Sequence, residues 1–168
     1  MSKNYFTIAK KGFSLIEMII YVSILAVIFL LIVRTVLSFT GSYRDLIVLR
    51  ALDRSAYNSF ERMSRDIHGA SSINTLQSSL GTSPGALALA AGAATSTRFY
   101  VQNEKISVDV NGVYVGPLTV KNTAVSSLIF RMISGTTTAV RIDLTLTASS
   151  GPVIRTKTFH STVLLEGS

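Results

Sequence analysis

The sequence predicts an α+β chain in which one long N-terminal helix packs its second half on a C-terminal antiparallel β-sheet. Three observations carry that expectation. Residues 13–33 form an apolar run in which Glu17 and Tyr21 are the only ionisable side chains. Leu49, Leu52, Ala56, Phe60, Met63 and Ile67 then recur at spacings of three and four, the mark of one helical face. From Arg98 onward the apolar period changes to two, as in half-buried strands.

Residues 1–12 read as a basic leader, with Lys3, Lys10 and Lys11 and no acid. Residues 13–33 read as a transmembrane helix: at about 1.5 Å per residue they reach roughly 32 Å, matching a hydrocarbon core of about 30 Å. The leader lysines favour a cytoplasmic N-terminus and a periplasmic or exterior C-terminal part, weakly opposed by Arg34 and Arg44.

Residues 34–68 read as an amphipathic continuation of the helix, with Gly41-Ser42 as the place for a bend. Opposite the apolar stripe stand Arg50, Arg54, Asn58, Glu61, Arg62 and Arg65. Glu61 with Arg65, and Arg62 with Asp66, lie four apart, and each such pair contributes about 0.2–0.5 kcal/mol. His68-Gly69 supplies a stop: a basic residue in the last turn, then a glycine suited to a left-handed cap.

Residues 69–97 are expected to be mainly a connecting loop, rich in Ser, Gly and Ala, with a turn at Pro84-Gly85 and at most a short strand at Leu87 and Leu89. Residues 98–168 are expected to form the sheet. Phe99-Tyr100-Val101 and Ile106, Val108 and Val110 flank a turn at Gln102-Asn103-Glu104. Asn111-Gly112 marks a second tight turn before Val113-Tyr114-Val115. Leu128, Phe130 and Met132 alternate with Ile129, Arg131 and Ile133, and Val140, Ile142, Leu144 and Leu146 alternate with Arg141, Asp143, Thr145 and Thr147. Gly151-Pro152 then turns into a last strand ending about Leu165.

Composition narrows the chemistry. The 168 residues contain no cysteine, so no disulfide, zinc–thiolate site or thiol nucleophile exists. His68 and His160 fit no metal-ligand spacing, and the glycines between 81 and 92 lack the Gly-Lys-Ser/Thr of a phosphate loop. The sequence therefore predicts a non-enzymatic chain without cofactor or metal. Between residues 43 and 67 five arginines (44, 50, 54, 62, 65) face four acids (Asp45, Asp53, Glu61, Asp66), a balance that argues against a phosphate track for nucleic acid.

Glu17 is the informative residue. An ionised carboxylate at the edge of an apolar span either stays hydrated near the headgroups or has a partner, because burying it alone is costly. Its context decides between these. Lys10-Lys11-Gly12-Phe13-Ser14-Leu15-Ile16-Glu17, followed by a full span, resembles the prepilin-type signal of type IV pilins and type II secretion pseudopilins. The resemblance covers about the first third of the chain. It implies that a prepilin peptidase cuts after Gly12, with Lys10 and Lys11 as the leader charge, and methylates the new terminus at Phe13. It further implies that Glu17 pairs with the terminal amine of a neighbouring subunit during assembly. Loss of the leader takes the formal charge from +7 to +4.

Weaker resemblances point to a branch. The run from Phe60 to Ile67, the segment Arg98-Phe99-Tyr100-Val101 and the alternation from Val140 to Leu146 are similar in pattern to J-type minor pseudopilins and related minor pilins. Many major pilins carry a C-terminal disulfide that this chain lacks. The implied partners are the peptidase, other pilin or pseudopilin subunits, the inner membrane and, indirectly, the assembly platform and its ATPase. In such proteins a stretch like 77–97 forms interfaces, whereas as a plain sequence it is equally a solvated connector. The competing expectation is a single-pass anchored binding protein, an adhesin or DNA receptor, that never polymerises.

Overall fold

The computed structural model describes residues 12, 14–92, 95–135 and 137–166. Two compact units divide the chain, Met1–Ser42 and Tyr43–Ser168. Helix α1, Leu15–His68, supplies most of the described part of the first unit and the N-terminal element of the second.

In the first unit α1 starts where the Ser14 carbonyl accepts the Met18 amide at 3.2 Å. Its apolar side chains are exposed throughout, and the helix is long and apolar enough to cross a membrane. Several hydroxyls within it bond back to the helix. Ser23 and Thr35 donate to the carbonyls of Ile19 and Leu31 at 2.8 Å, and Thr40 donates to Val36 at 3.0 Å. Such back-bonding lets hydroxyls sit in lipid, where no water is at hand. The helix continues through Gly41 and Ser42.

In the second unit Val48, Leu52, Ser55, Ala56, Ser59, Met63 and Ile67 form the buried stripe of α1. Four of the six predicted stripe positions are buried. Leu49 is exposed and Phe60 only half-buried, because the stripe runs through Val48, Ser55 and Ser59 instead. The predicted pairs form, Arg62–Asp66 at 2.9 Å and Glu61–Arg65 at 2.6 Å. The helix ends at His68 as expected, but Gly69 is not among the positive-φ glycines. Its amide bonds the Arg65 carbonyl at 3.1 Å without a left-handed cap.

Eight strands follow among the described residues: β1 Ser72–Ile73, β2 Leu87–Ala91, β3 Thr95–Gln102, β4 Lys105–Val110, β5 Val113–Pro117, β6 Thr123–Ile133, β7 Ala139–Ser150 and β8 Val153–Leu164. They make two antiparallel sheets, β1-β2-β3-β4-β5 and β6-β7-β8, rather than one. Within 69–97 the short strand expected at Leu87 and Leu89 is β2, and the segment also holds β1 and the start of β3, which were not expected. Leu87, Ala88 and Leu89 are all buried, so β2 carries no alternation of period two in its sequence.

Turn chemistry follows the sequence more closely. Asn103 and Glu104 both have positive φ (51° and 58°), as do Asn111 and Gly112 (55° and 77°), the conformation of two-residue type I′ hairpins. Gly112 meets that demand without a Cβ clash. In β6 the inward positions change parity, from Thr123 and Val125 to Leu128 and Phe130, because the register with β7 shifts between Val125 and Ser127. One extra residue in a bulge does this.

One core joins α1 to both sheets. Leu52, Met63 and Ile67 meet Leu87, Phe99 and Ile106 of one sheet and Phe130, Ile142 and Leu144 of the other. Each such side chain contributes about 1.5–3 kcal/mol on full burial. The passage between sheets, 118–122, is pinned by polar contacts: the Val120 amide donates to Ser55 Oγ at 3.1 Å, and Lys105 Nζ donates to the carbonyls of Val120 and Thr123.

Candidate processing and assembly site

The site predicted from sequence lies at the start of α1. Gly12 is exposed, with open space where a Cβ would stand. Lys10, Lys11 and Phe13 lie outside the described residues. Glu17 is the one half-buried residue among those described from 12 to 44. Tyr21 Oη, one helical turn on, donates to Glu17 Oε1 at 3.4 Å.

Two further features here follow from residue spacing alone. Ser14-x-x-Glu17 has the spacing of a capping box, and the Ser14 carbonyl opens the helix, so Glu17 stands in the first turn. A carboxylate there is favoured by the helix dipole by about 0.3–1 kcal/mol. The Tyr21 contact is the other, an i,i+4 pair implied by spacing alone.

Both histidines and the acids of α1 in the second unit have partners. His160 Nδ1 lies 2.6 Å from Asp143 Oδ1, His68 Nδ1 lies 3.9 Å from Glu166, and the two histidines have different partners. Among the described residues no group of three or more His, Asp or Glu could hold a metal. The segment Gly81-Thr82-Ser83-Pro84-Gly85 spells the string of a nucleophile elbow. It has the wrong setting, because it lies along β6 with Ser83 Oγ accepting from Ser127 Oγ at 2.9 Å, and not between a strand and a helix. The acids of α1 in the second unit are all paired. Asp45 and Asp53 go to Arg155 and Lys157 of β8, at 3.0 and 2.8 Å. Arg44, Arg50 and Arg54 make no ion pair among the described residues, so nearly balanced counts on the helix do not mean local neutrality.

Residues 8–33 match the model of the prokaryotic N-terminal methylation motif. No curated protein and no solved structure matches the chain. The motif supports a type IV pilin-like family and indicates a prepilin-like protein, processed for a pilus or pseudopilus. It implies processing by a prepilin peptidase and assembly with other pilins, and with the apolar helix it fits a membrane-anchored pilin.

Proposed function

We propose that this chain is a minor pilin or pseudopilin. It is held in the inner membrane with its N-terminus cytoplasmic, cut between Gly12 and Phe13, methylated at Phe13, and assembled through Glu17. The observation that carries this reading is the coincidence, in one register, of the methylation motif at 8–33, an exposed Gly12 and a carboxylate in the first turn of a membrane-length helix.

The physical step is an exchange of partners. Before docking, Glu17 has the Tyr21 hydroxyl, a long hydrogen bond at 3.4 Å. Cutting after Gly12 creates a cationic amine, and methylation to a secondary amine keeps that charge. At about 4 Å and an effective dielectric near 20, a carboxylate–ammonium pair gains roughly 4 kcal/mol before desolvation losses. A neighbour's terminus thus offers Glu17 more than Tyr21 does, and the pairing sets axial register while the apolar spans supply cohesion. The absence of cysteine supports a minor subunit over a disulfide-closed main fibre subunit.

Mass spectrometry of the mature product from its native host tests this. The expected product begins at Phe13 with one added methyl group, and Gly12→Asp yields only precursor. A product that retains residues 1–12 overturns the reading. For the assembly step, Glu17→Ala is expected to insert normally and to be lost from the filament fraction; incorporation at the parental level removes Glu17 from the mechanism.

A further inference from the structure

A cleft of about 460 Å³ opens on the outward face of the five-stranded sheet. One wall is the segment after β1, which is firmly built. The Asn74 amide donates to the Ala88 carbonyl at 2.9 Å. Ser78 Oγ donates to the Asn74 carbonyl at 2.7 Å and accepts the Ala88 amide at 2.9 Å. The floor is Ser96 and Arg98 of β3 and Asp109 of β4.

Arg98 and Asp109 stand directly opposite each other in the β3–β4 register, the placement of a cross-strand ion pair. They form none among the described residues, because Tyr100 engages both. Its hydroxyl donates to Asp109 Oδ1 at 3.0 Å, while the Arg98 guanidinium lies over its ring, 5.4 Å from the centroid. Burial, and then the hydrogen bond to Asp109, raises the Tyr100 pKa above its ordinary value, so the phenol remains a donor. A guanidinium and a carboxylate are thereby left facing one cleft. The side chains of Gln77, Ser79 and Ser96 add groups with no hydrogen-bond partner among the described residues.

These charges select a ligand class. The carboxylate disfavours phosphates and carboxylates, and the guanidinium disfavours cations. A neutral molecule bearing adjacent hydroxyls suits both, since each hydroxyl donates to Asp109 and accepts from Arg98. Leu76, 97% exposed at the rim, offers apolar contact for the C–H face of a ring. We propose that this cleft binds a neutral sugar, with neighbouring hydroxyls held between Arg98 and Asp109. The site is independent of leader processing and of Glu17.

The test is an amide-shift titration of the full chain in a sugar-free polyoxyethylene detergent, using the methyl α-glycosides of glucose, galactose and mannose as probes, with phosphate and acetate as competitors. Saturable shifts at Ser96, Asp109 and Gly112 with at least one glycoside are expected. Asp109→Asn and Arg98→Gln should each weaken binding by about tenfold or more, the effect of losing one charge-assisted hydrogen bond. Tyr100→Phe, which keeps both charges but frees them to pair, should weaken it too. No saturable shift with any of the three, undiminished binding in the variants, or displacement by phosphate or acetate overturns the proposal. The titration of the unaltered chain stands even if a variant misfolds.

Discussion

Ser55 of α1 and Thr123 of β6, 68 residues apart in sequence, share a hydrogen bond of 3.2 Å inside the core, and both are almost fully buried. Ser55 Oγ also accepts the Val120 amide at 3.1 Å, so one hydroxyl ties the helix to the passage between the two sheets. Ser55→Ala removes that acceptor and leaves the amide short of a partner. The expected loss is about 1–3 kcal/mol, read as a lower denaturant midpoint of the full chain in detergent micelles with an unchanged slope. An unchanged midpoint would show that the pin is replaced by water.

Ser55 carries no apolar signal in the sequence. A periodicity argument scores serine as polar, so a helix stripe that buries Ser55 and Ser59 looks narrower than it is, and Leu49 is drawn in to fill it. Met63 and Ile67 were legible because apolar residues at helical spacing have one economical place to go. The strand β7 was legible for the same reason at a period of two, with Val140, Ile142, Leu144 and Leu146 all buried. The division into two sheets was not, because it depends on which strands pair across long separations. Nor were the links from Asp45 to Arg155 and from Asp53 to Lys157, which span 110 and 104 residues. The candidate site differs from these: Gly12, Phe13 and Glu17 are a local pattern, fully present in the chain's own order.

Gly85, expected only as part of a turn, stands at a close approach to β6. Its amide donates to the Leu128 carbonyl at 2.7 Å, and the Gly81 amide donates to Phe130 at 2.8 Å, so this segment covers the open edge of β6. A Cβ at Gly85 would stand 2.9 Å from the Leu128 oxygen and 3.2 Å from Phe130 Cδ2. Gly85→Ala is therefore expected to destabilise by about 1–3 kcal/mol, as overpacking does. Gly41→Ala, inside α1 with open space around it, serves as the contrast, expected to be neutral or to stabilise by up to about 1 kcal/mol. Equal midpoints for the two variants would show that the edge segment yields without penalty.

Asp143, on the outward face of β7, predicts an acid limb in the stability curve. Hydrogen bonding from His160 above all, then Arg141 and the charge of Arg131, holds its carboxyl below the ordinary value against the opposing effect of burial. A carboxyl depressed in the folded state stabilises fully above its unfolded value of about 3.9, and that stabilisation fades as pH falls toward the folded value. Melting temperatures of the parent should thus fall more steeply than those of Asp143→Asn between about pH 4.5 and 2.5. Parallel curves would mean that the cluster contributes nothing to folding.

Tyr21 offers the sharpest separation between holding Glu17 and using it. Tyr21→Phe keeps the ring and removes the hydroxyl that donates at 3.4 Å. A hydrogen bond to a carboxylate is worth about 1.5–3 kcal/mol net, and at 3.4 Å this long one stands at the low end, under the roughly 4 kcal/mol of gross attraction available from a charged terminus. If docking exchanges one partner for the other, losing the weaker one removes something that assembly must break. Tyr21→Phe should then enter the filament fraction at least as well as the parent, by a factor of no more than about ten, whereas Glu17→Ala should not enter at all. Quantifying both variants in sheared filaments against total membrane content makes the comparison. Loss of assembly in Tyr21→Phe as complete as in Glu17→Ala would make the tyrosine hydroxyl part of the assembled contact rather than its predecessor.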